Sequence, residues 1–444
     1  MGGMKLVALM IFAVLSVTSA AEKWWKLDSR RVFSSPSAVK SMRTSSIVLP
    51  LHGNVYPYGF YFTQVNIGKP PKPYFLDPDT GSDLTWLQCD APCSRCTKTP
   101  HPLYKPNTEL IGCKDPLCAS LQSGEQNCET LEQCDYEVQY ADGGSTLGVL
   151  LTDVFSLSLT SGVEIDPRLV IGCGYDQVIG HSHHPVDGVL GLGKGPTSIL
   201  SQLRKMGLVR NVVGHCLGGQ GGYLFFGDQV YDASEVVWTP MLHDYKSHYS
   251  PGVAELSFDG ISTGVKNLLV IFDSGSSYSY LHFEAYLAFI SLIEEGLSGK
   301  PLRKVDDDDT LPLCWKGKKP LKTVQDVKQY FKPFALGFSN GRKAKSLFEI
   351  SPESYLIISS KGSVCLGVLN GTEAGLQDIN IIGDISMQNK MVIYDNEKKS
   401  IGWTAAKCDN PSRSNSFQMY DVGDHRVLLF KWVGGVISSV MLHE

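Results

Sequence analysis

Hydrophobic and polar positions alternate in short runs along most of this chain, and Gly or Pro closes nearly every run. Phe60 to Ile67 reads Phe-Tyr-Phe-Thr-Gln-Val-Asn-Ile, a period of two that predicts a strand, and Gly68-Lys69-Pro70-Pro71 then turns the chain. Tyr74 to Leu76 predicts the next strand and delivers Asp77 and Asp79. Tyr136 to Tyr140 and Leu147 to Leu159 predict the two arms of a hairpin, with Gly143 and Gly144 in a tip free to bend. Val186 to Gly193 is an apolar strand punctuated by Gly. Tyr223 to Phe226 and Val236 to Trp238 are expected to bridge two halves of the molecule. In the second half Leu268 to Phe272 predicts a strand ending at Asp273, and Met391 to Tyr394 with Ser400 to Trp403 closes the fold. Only Ser198 to Lys205 and Phe283 to Glu295 read as amphipathic helices.

One pattern occurs twice. Phe75-Leu76-Asp77-Pro78-Asp79-Thr80-Gly81-Ser82 and Val270-Ile271-Phe272-Asp273-Ser274-Gly275-Ser276 are apolar runs that stop at an Asp, followed by a hydroxyl residue, a Gly and a Ser. Each is followed later by two apolar residues and a Gly, at Val189-Leu190-Gly191 and Ile381-Ile382-Gly383. Turn chemistry explains one such motif, because Asp and Gly are ordinary turn residues. Two motifs with the same partner in the same order point to a duplicated, bilobed architecture, with Asp79 and Asp273 facing each other across one cleft. The expected organisation is an N-terminal lobe over 47–228 and a C-terminal lobe over 229–409.

Composition sharpens this picture. A chain of 444 residues with 43% hydrophobic content, 44 Gly and 23 Pro is globular, mainly β and large enough for two cores. A net charge of −5 without a basic stripe excludes a nucleic-acid partner. Lys5, the apolar run Leu6 to Val17 and the small residues Thr18 to Ala21 read as a secretory signal over 1–20, too short to span a bilayer. The polar and basic stretch 21–46 reads as a pro-segment. In that compartment twelve cysteines imply disulfides, seven of them between Cys89 and Cys134, with the connectivity open. A zinc site at Cys89, Cys93 and Cys96 is the weaker alternative, since no second ligand pair follows.

Two carboxylates held about 3 Å apart cannot both ionise, so the pair carries one shared proton at mildly acid pH. The ionised member can take a proton from a water between them while the protonated member donates to a substrate carbonyl; neither metal nor cofactor is needed. Gly81 and Gly275 let the backbone approach the carboxylates, Ser82 and Ser276 can donate to them, and Thr80 and Ser274 can reach the opposite loop.

Asp79-Thr80-Gly81-Ser82, Trp86-Leu87-Gln88-Cys89-Asp90-Ala91-Pro92-Cys93, Gln133-Cys134-Asp135-Tyr136, Gly172-Cys173-Gly174-Tyr175-Asp176, Asp273-Ser274-Gly275-Ser276 and Val364-Cys365-Leu366-Gly367 together resemble the pepsin-like aspartic proteases, and the plant nucellin-like branch among them. The resemblance covers about Val48 to Cys408. It implies a mainly β, bilobal pepsin-like acid protease fold with a central cleft and a β-hairpin flap. It also implies an aspartic endopeptidase acting on protein or peptide substrates; with the signal and pro-segment read above, the expectation is a monomeric zymogen sent through the secretory pathway to the extracellular space or vacuole. Tyr140 matches the flap tyrosine whose hydroxyl reaches toward Trp86, with Gly143 in the flap tip, and the paired apolar-Gly segments are expected to cross beneath the catalytic loops.

Departures from the pattern are Pro78, where a branched apolar residue is usual, Ser274 in place of Thr, and the tail after Cys408. Pro78 lacks an N–H, so the expectation is a lost strand hydrogen bond and weakened activity. The tail 410–444 reads as an irregular extension in preference to a membrane-anchor signal, because Lys431 interrupts its apolar run. Asn370-Gly371-Thr372 is a glycosylation acceptor. Two other functions compete: a catalytically weak pepsin-fold binding or inhibitor protein, and a phosphatase whose nucleophile loop is Leu76 to Gly81. The second needs a magnesium carboxylate pair, whereas Asp306 to Asp309 reads as a solvated loop.

Overall fold

Strand Lys72–Asp79 is the hub of the N-terminal half: it pairs antiparallel with Phe60–Ile67 on one edge and parallel with Gly188–Gly191 on the other. The second half repeats the arrangement. Leu268–Phe272 pairs antiparallel with Tyr249–Phe258 and parallel with Ile379–Ile382. In both halves the apolar-apolar-Gly segment is the parallel neighbour of the strand that carries an Asp, with Asp79 opposite Gly191 and Phe272 opposite Ile382. A strand flanked on both edges and buried on both faces must be continuously apolar, which is why these runs do not alternate. The fold is mainly β and bilobal, a pepsin-like architecture. The computed structural model describes residues 45–409 except 92, 107–108, 122–132, 181–183, 243–247 and 340–344. The expected signal, the expected pro-segment up to residue 44 and the tail 410–444 lie outside the described residues.

The strands lie in sheets of fourteen, eight and four. The largest runs through both halves, but the bridge is not made where the sequence suggested. Gly221–Phe226 pairs with Ile47–Leu51 inside the first half, and Val237–Pro240 pairs with Ser400–Ala405 inside the second. The crossing is Val212–Gly218 against Lys390–Asp395, two strands buried along their length. Both helices form, as Ile199–Lys205 and Phe283–Leu297. Ser198 caps the first, its Oγ accepting the Ser201 N–H. The second buries Ala285, Phe289, Ile290, Ile293 and Leu297 on one face.

Several expectations are corrected here. Disulfides join Cys89 to Cys173, Cys93 to Cys96, Cys118 to Cys134, Cys216 to Cys408 and Cys314 to Cys365, and Cys113 is disulfide-bonded as well. Cys89, Cys93 and Cys96 are therefore consumed as disulfides, and the zinc alternative falls. Ser46, the last residue of the expected pro-segment, is fully buried and exchanges hydrogen bonds with Thr160. Asp308 is not solvated: it is buried and accepts from Ser359 Oγ at 2.6 Å and Thr310 Oγ1 at 2.7 Å, while Asp307 and Asp309 pair with Lys316 and Lys361. Asn370 ends strand Val368–Asn370, is 8% exposed and accepts the Thr372 N–H, a poor setting for a bulky glycan.

Candidate active site

The two Asp-bearing strands end at the lobe boundary, and their following loops meet there as near mirror images. Asp79 Oδ1 accepts the Gly81 N–H at 2.7 Å and its Oδ2 accepts from Ser82 Oγ; Asp273 Oδ1 accepts the Gly275 N–H at 3.0 Å and its Oδ2 accepts from Ser276 Oγ at 2.8 Å. Each glycine also lies against the opposite carboxylate. A Cβ on Gly81 would stand 2.6 Å from Asp273 Oδ1, and one on Gly275 would stand 2.5 Å from Asp79 Oδ1. The geometry thus puts two carboxyl groups in one spot with a symmetrical set of donors. Burial, and next the charge of Asp273, push the Asp79 carboxyl well above its ordinary range, while Ser82 and Gly81 pull the other way.

The loops are fastened to each other. Thr80 N–H donates to Ser274 Oγ at 3.1 Å, and Ser274 N–H donates to Thr80 Oγ1 at 2.9 Å. Each hydroxyl then donates to the carbonyl just before the opposite aspartate: Thr80 to Phe272 at 3.2 Å, Ser274 to Pro78 at 2.7 Å. All four bonds are buried, so none exchanges cheaply with water. Ser in place of Thr at 274 keeps every one of them.

Pro78 proves harmless to the strand. Phe75 and Asp79 turn their carbonyls to the parallel neighbour, accepting from Asp187 and Leu192. Backbone direction alternates along a strand, so Pro78 faces the other way. On that side pairing with Phe60–Ile67 has already ended at Leu76, and the Pro78 carbonyl meets Ser274. The missing N–H removes no ladder bond, contrary to the sequence-based expectation.

Asp135–Gln139 and Ser145–Ser158 form the predicted hairpin in register, and its tip closes when Tyr140 N–H donates to the Gly144 carbonyl at 2.8 Å. Gly143 takes φ +85° with open space where a side chain would stand. Tyr140 turns its hydroxyl inward to accept from Trp86 Nε1 at 2.7 Å. Burial, then the Asp79 charge, push its phenol far up, so it is neutral and near the dyad.

Two groups escaped the sequence reading. His184 Nδ1 lies 2.5 Å from Asp77 Oδ2, and burial raises the Asp77 carboxyl while His184 lowers it. The hint was Asp77 itself, on the same strand face as Asp79. Asp384, next to Gly383, is fully enclosed; burial, then the charges of Asp77, Asp273 and Asp79, hold its carboxyl well above the ordinary range. It lines a small cavity together with Pro78, Ser274 and His215.

The chain shares its sequence and fold with known proteins. Family profiles described as xylanase inhibitor N-terminal and xylanase inhibitor C-terminal match residues 61–228 and 255–405. An aspartic proteinase of Oryza sativa subsp. japonica is 45% identical over 390 residues, covering 84% of this chain and 94% of that protein. Aspartic proteinase 39 of Arabidopsis thaliana is 31% identical over 409 residues, covering 86% and 82%. Among solved structures, the basic 7S globulin from soybean superposes with a TM-score of 0.65 at 17% identity, covering 83% of this chain and 99% of that one.

Proposed function

This chain belongs to the plant pepsin-like aspartic protease family, and we propose that it is an endopeptidase that hydrolyses peptide bonds at acid pH with Asp79 and Asp273 as its catalytic pair. The observation that carries the reading is the symmetrical dyad, in which each aspartate accepts from a Gly N–H and a Ser hydroxyl of its own loop. One carboxylate takes a proton from a water held between the two, and the other donates to the carbonyl of the scissile bond. Water adds directly, so no covalent enzyme intermediate forms. The fixed donors stabilise the charge of the dyad without reorganising during the reaction. Tyr140 and the Gly143 tip form a flap that closes over the bound peptide, with Trp86 fixing the Tyr140 hydroxyl.

The test is digestion of casein and of a peptide panel at acid pH by wild type, Asp79→Asn and Asp273→Asn. Either substitution is expected to lower kcat/KM by about 10²–10⁴-fold or more. Retained cleavage by either variant would overturn the reading. A second reading, a pepsin-fold protein that binds or inhibits without cutting, is favoured by the xylanase inhibitor profiles. The intact donor set on both aspartates weighs against it, and a wild type that binds peptides without cleaving them would favour it. The many disulfides suit a protein of the secretory pathway, extracellular or vacuolar.

A further inference from the structure

We propose that Asp77, held by His184, is a specificity-determining residue that seats a basic substrate side chain, lysine or arginine, beside the scissile bond; the inference rests on the peptidase reading above. Asp77 and Asp79 are two residues apart on one extended strand, so their side chains leave the same face. Asp77 is close enough for its charge to act on Asp79, Tyr140 and Asp384.

The pair is built, not incidental. His184 Nδ1 lies 2.5 Å from Asp77 Oδ2, and the imidazole stacks on Phe60 with ring centroids 4.8 Å apart. The side chains are 10% and 15% exposed, nearly enclosed yet reachable. Among the described residues nothing donates to Asp77 Oδ1, and a carboxylate oxygen can accept more than one donor. The dyad does not need Asp77 for its chemistry, since its own donors come from Gly81, Ser82, Gly275 and Ser276.

The charge balance selects the occupant. The charged and titratable groups around Asp77 are His184, Asp79, Asp273, Asp384 and Tyr140. Burial holds Tyr140 and Asp384 neutral, which leaves the Asp77 carboxyl with its His184 partner and the two dyad carboxyls facing an incoming side chain. A cationic donor reaching Oδ1 meets an acceptor and a favourable field together. An apolar side chain there would strip Oδ1 of water and return no bond, and sites with such an acceptor discriminate strongly against partners that cannot donate.

The experiment compares wild type, Asp77→Asn and Asp77→Leu on peptide pairs that differ only by lysine or leucine at one position flanking the scissile bond, each position in turn. Matched peptides with a hydroxyethylene in place of the scissile amide are titrated calorimetrically in parallel, and thermal melts confirm that each variant folds. At one position wild type is expected to favour lysine by about tenfold or more in kcat/KM and in affinity. Asp77→Asn brings the ratio near parity, and Asp77→Leu reverses it. The isosteric Asp77→Asn keeps the test decisive if the leucine variant does not fold. A lysine-to-leucine ratio that is the same in wild type and the folded variants overturns the proposal. Binding that follows Asp77 without any cleavage would remove the peptidase reading and leave this contact standing; neither binding nor cleavage overturns both.

Discussion

Thr80 and Ser274 exchange backbone-to-hydroxyl hydrogen bonds across the lobe boundary, at 3.1 and 2.9 Å, and each hydroxyl then donates to the carbonyl preceding the other lobe's aspartate. The same four bonds position the carboxylates and tie the two lobes. Thr80→Val, which keeps the shape and deletes the hydroxyl, leaves the Ser274 N–H and the Phe272 carbonyl unpaired in a buried place. Urea denaturation should show a loss of about 2 kcal/mol. Ser274→Thr retains the hydroxyl and should stay within about 1 kcal/mol of wild type.

Gly81 and Gly275 are required for space rather than for backbone freedom. A methyl at either position would press within 2.6 Å of the opposite carboxylate. Gly81→Ala and Gly275→Ala should each fold, give an unchanged far-UV circular dichroism spectrum and lower kcat/KM by about 10²-fold or more, because displacement of a reacting group by an ångström costs that much.

Pro78→Val tests whether proline costs the strand anything. Since the Pro78 position faces away from the parallel ladder, restoring an N–H gives it no strand partner. The variant should melt within a few degrees of wild type, a difference of about 1 kcal/mol or less. A large gain in stability or activity would show that a bond is missing after all.

Two buried groups that line one small cavity give opposite pH dependences. Burial lowers His215 from 6.5 to about 3, so its contribution is present above pH 6.5 and is lost as pH falls toward 3. Asp384 is raised above 3.8, so its contribution is present below that value and is lost as pH rises through the folded pKa. Between about pH 7 and pH 4, wild type should therefore lose about 3 kcal/mol relative to His215→Gln. Relative to Asp384→Asn the change has the reverse sign, wild type losing ground as pH rises. Urea titrations of the three proteins at both pH values check both signs.

Much of the site was legible in the sequence because its determinants are local. An apolar run that ends in Asp, a hydroxyl residue, Gly and Ser puts carboxylate, donor and close-approach glycine within four residues, and the repeat in the second half says that they come as a pair. Strand Phe60–Ile67 was readable for the same kind of reason, a period of two ended by Gly and Pro. The bridging strand was missed because Val212–Gly218 differs in no local way from other buried strands; only its partner, Lys390–Asp395, makes it the crossing.

What the tertiary structure alone decided depends on partners far along the chain or on which way a backbone group points. The disulfide pairing is of the first kind, as is the pairing of Asp77 with His184, 107 residues apart. Pro78 is of the second kind: composition counts a missing N–H, and only strand direction shows that nothing was there to receive it. Asn370 and Asp308 carry surface motifs into buried positions, since a motif describes chemistry and not exposure. By itself the sequence determined that the Asp-hydroxyl-Gly-Ser motif comes as a pair; the fold decided what surrounds the two aspartates, because burial and charge are sums over neighbours that sequence order does not reveal.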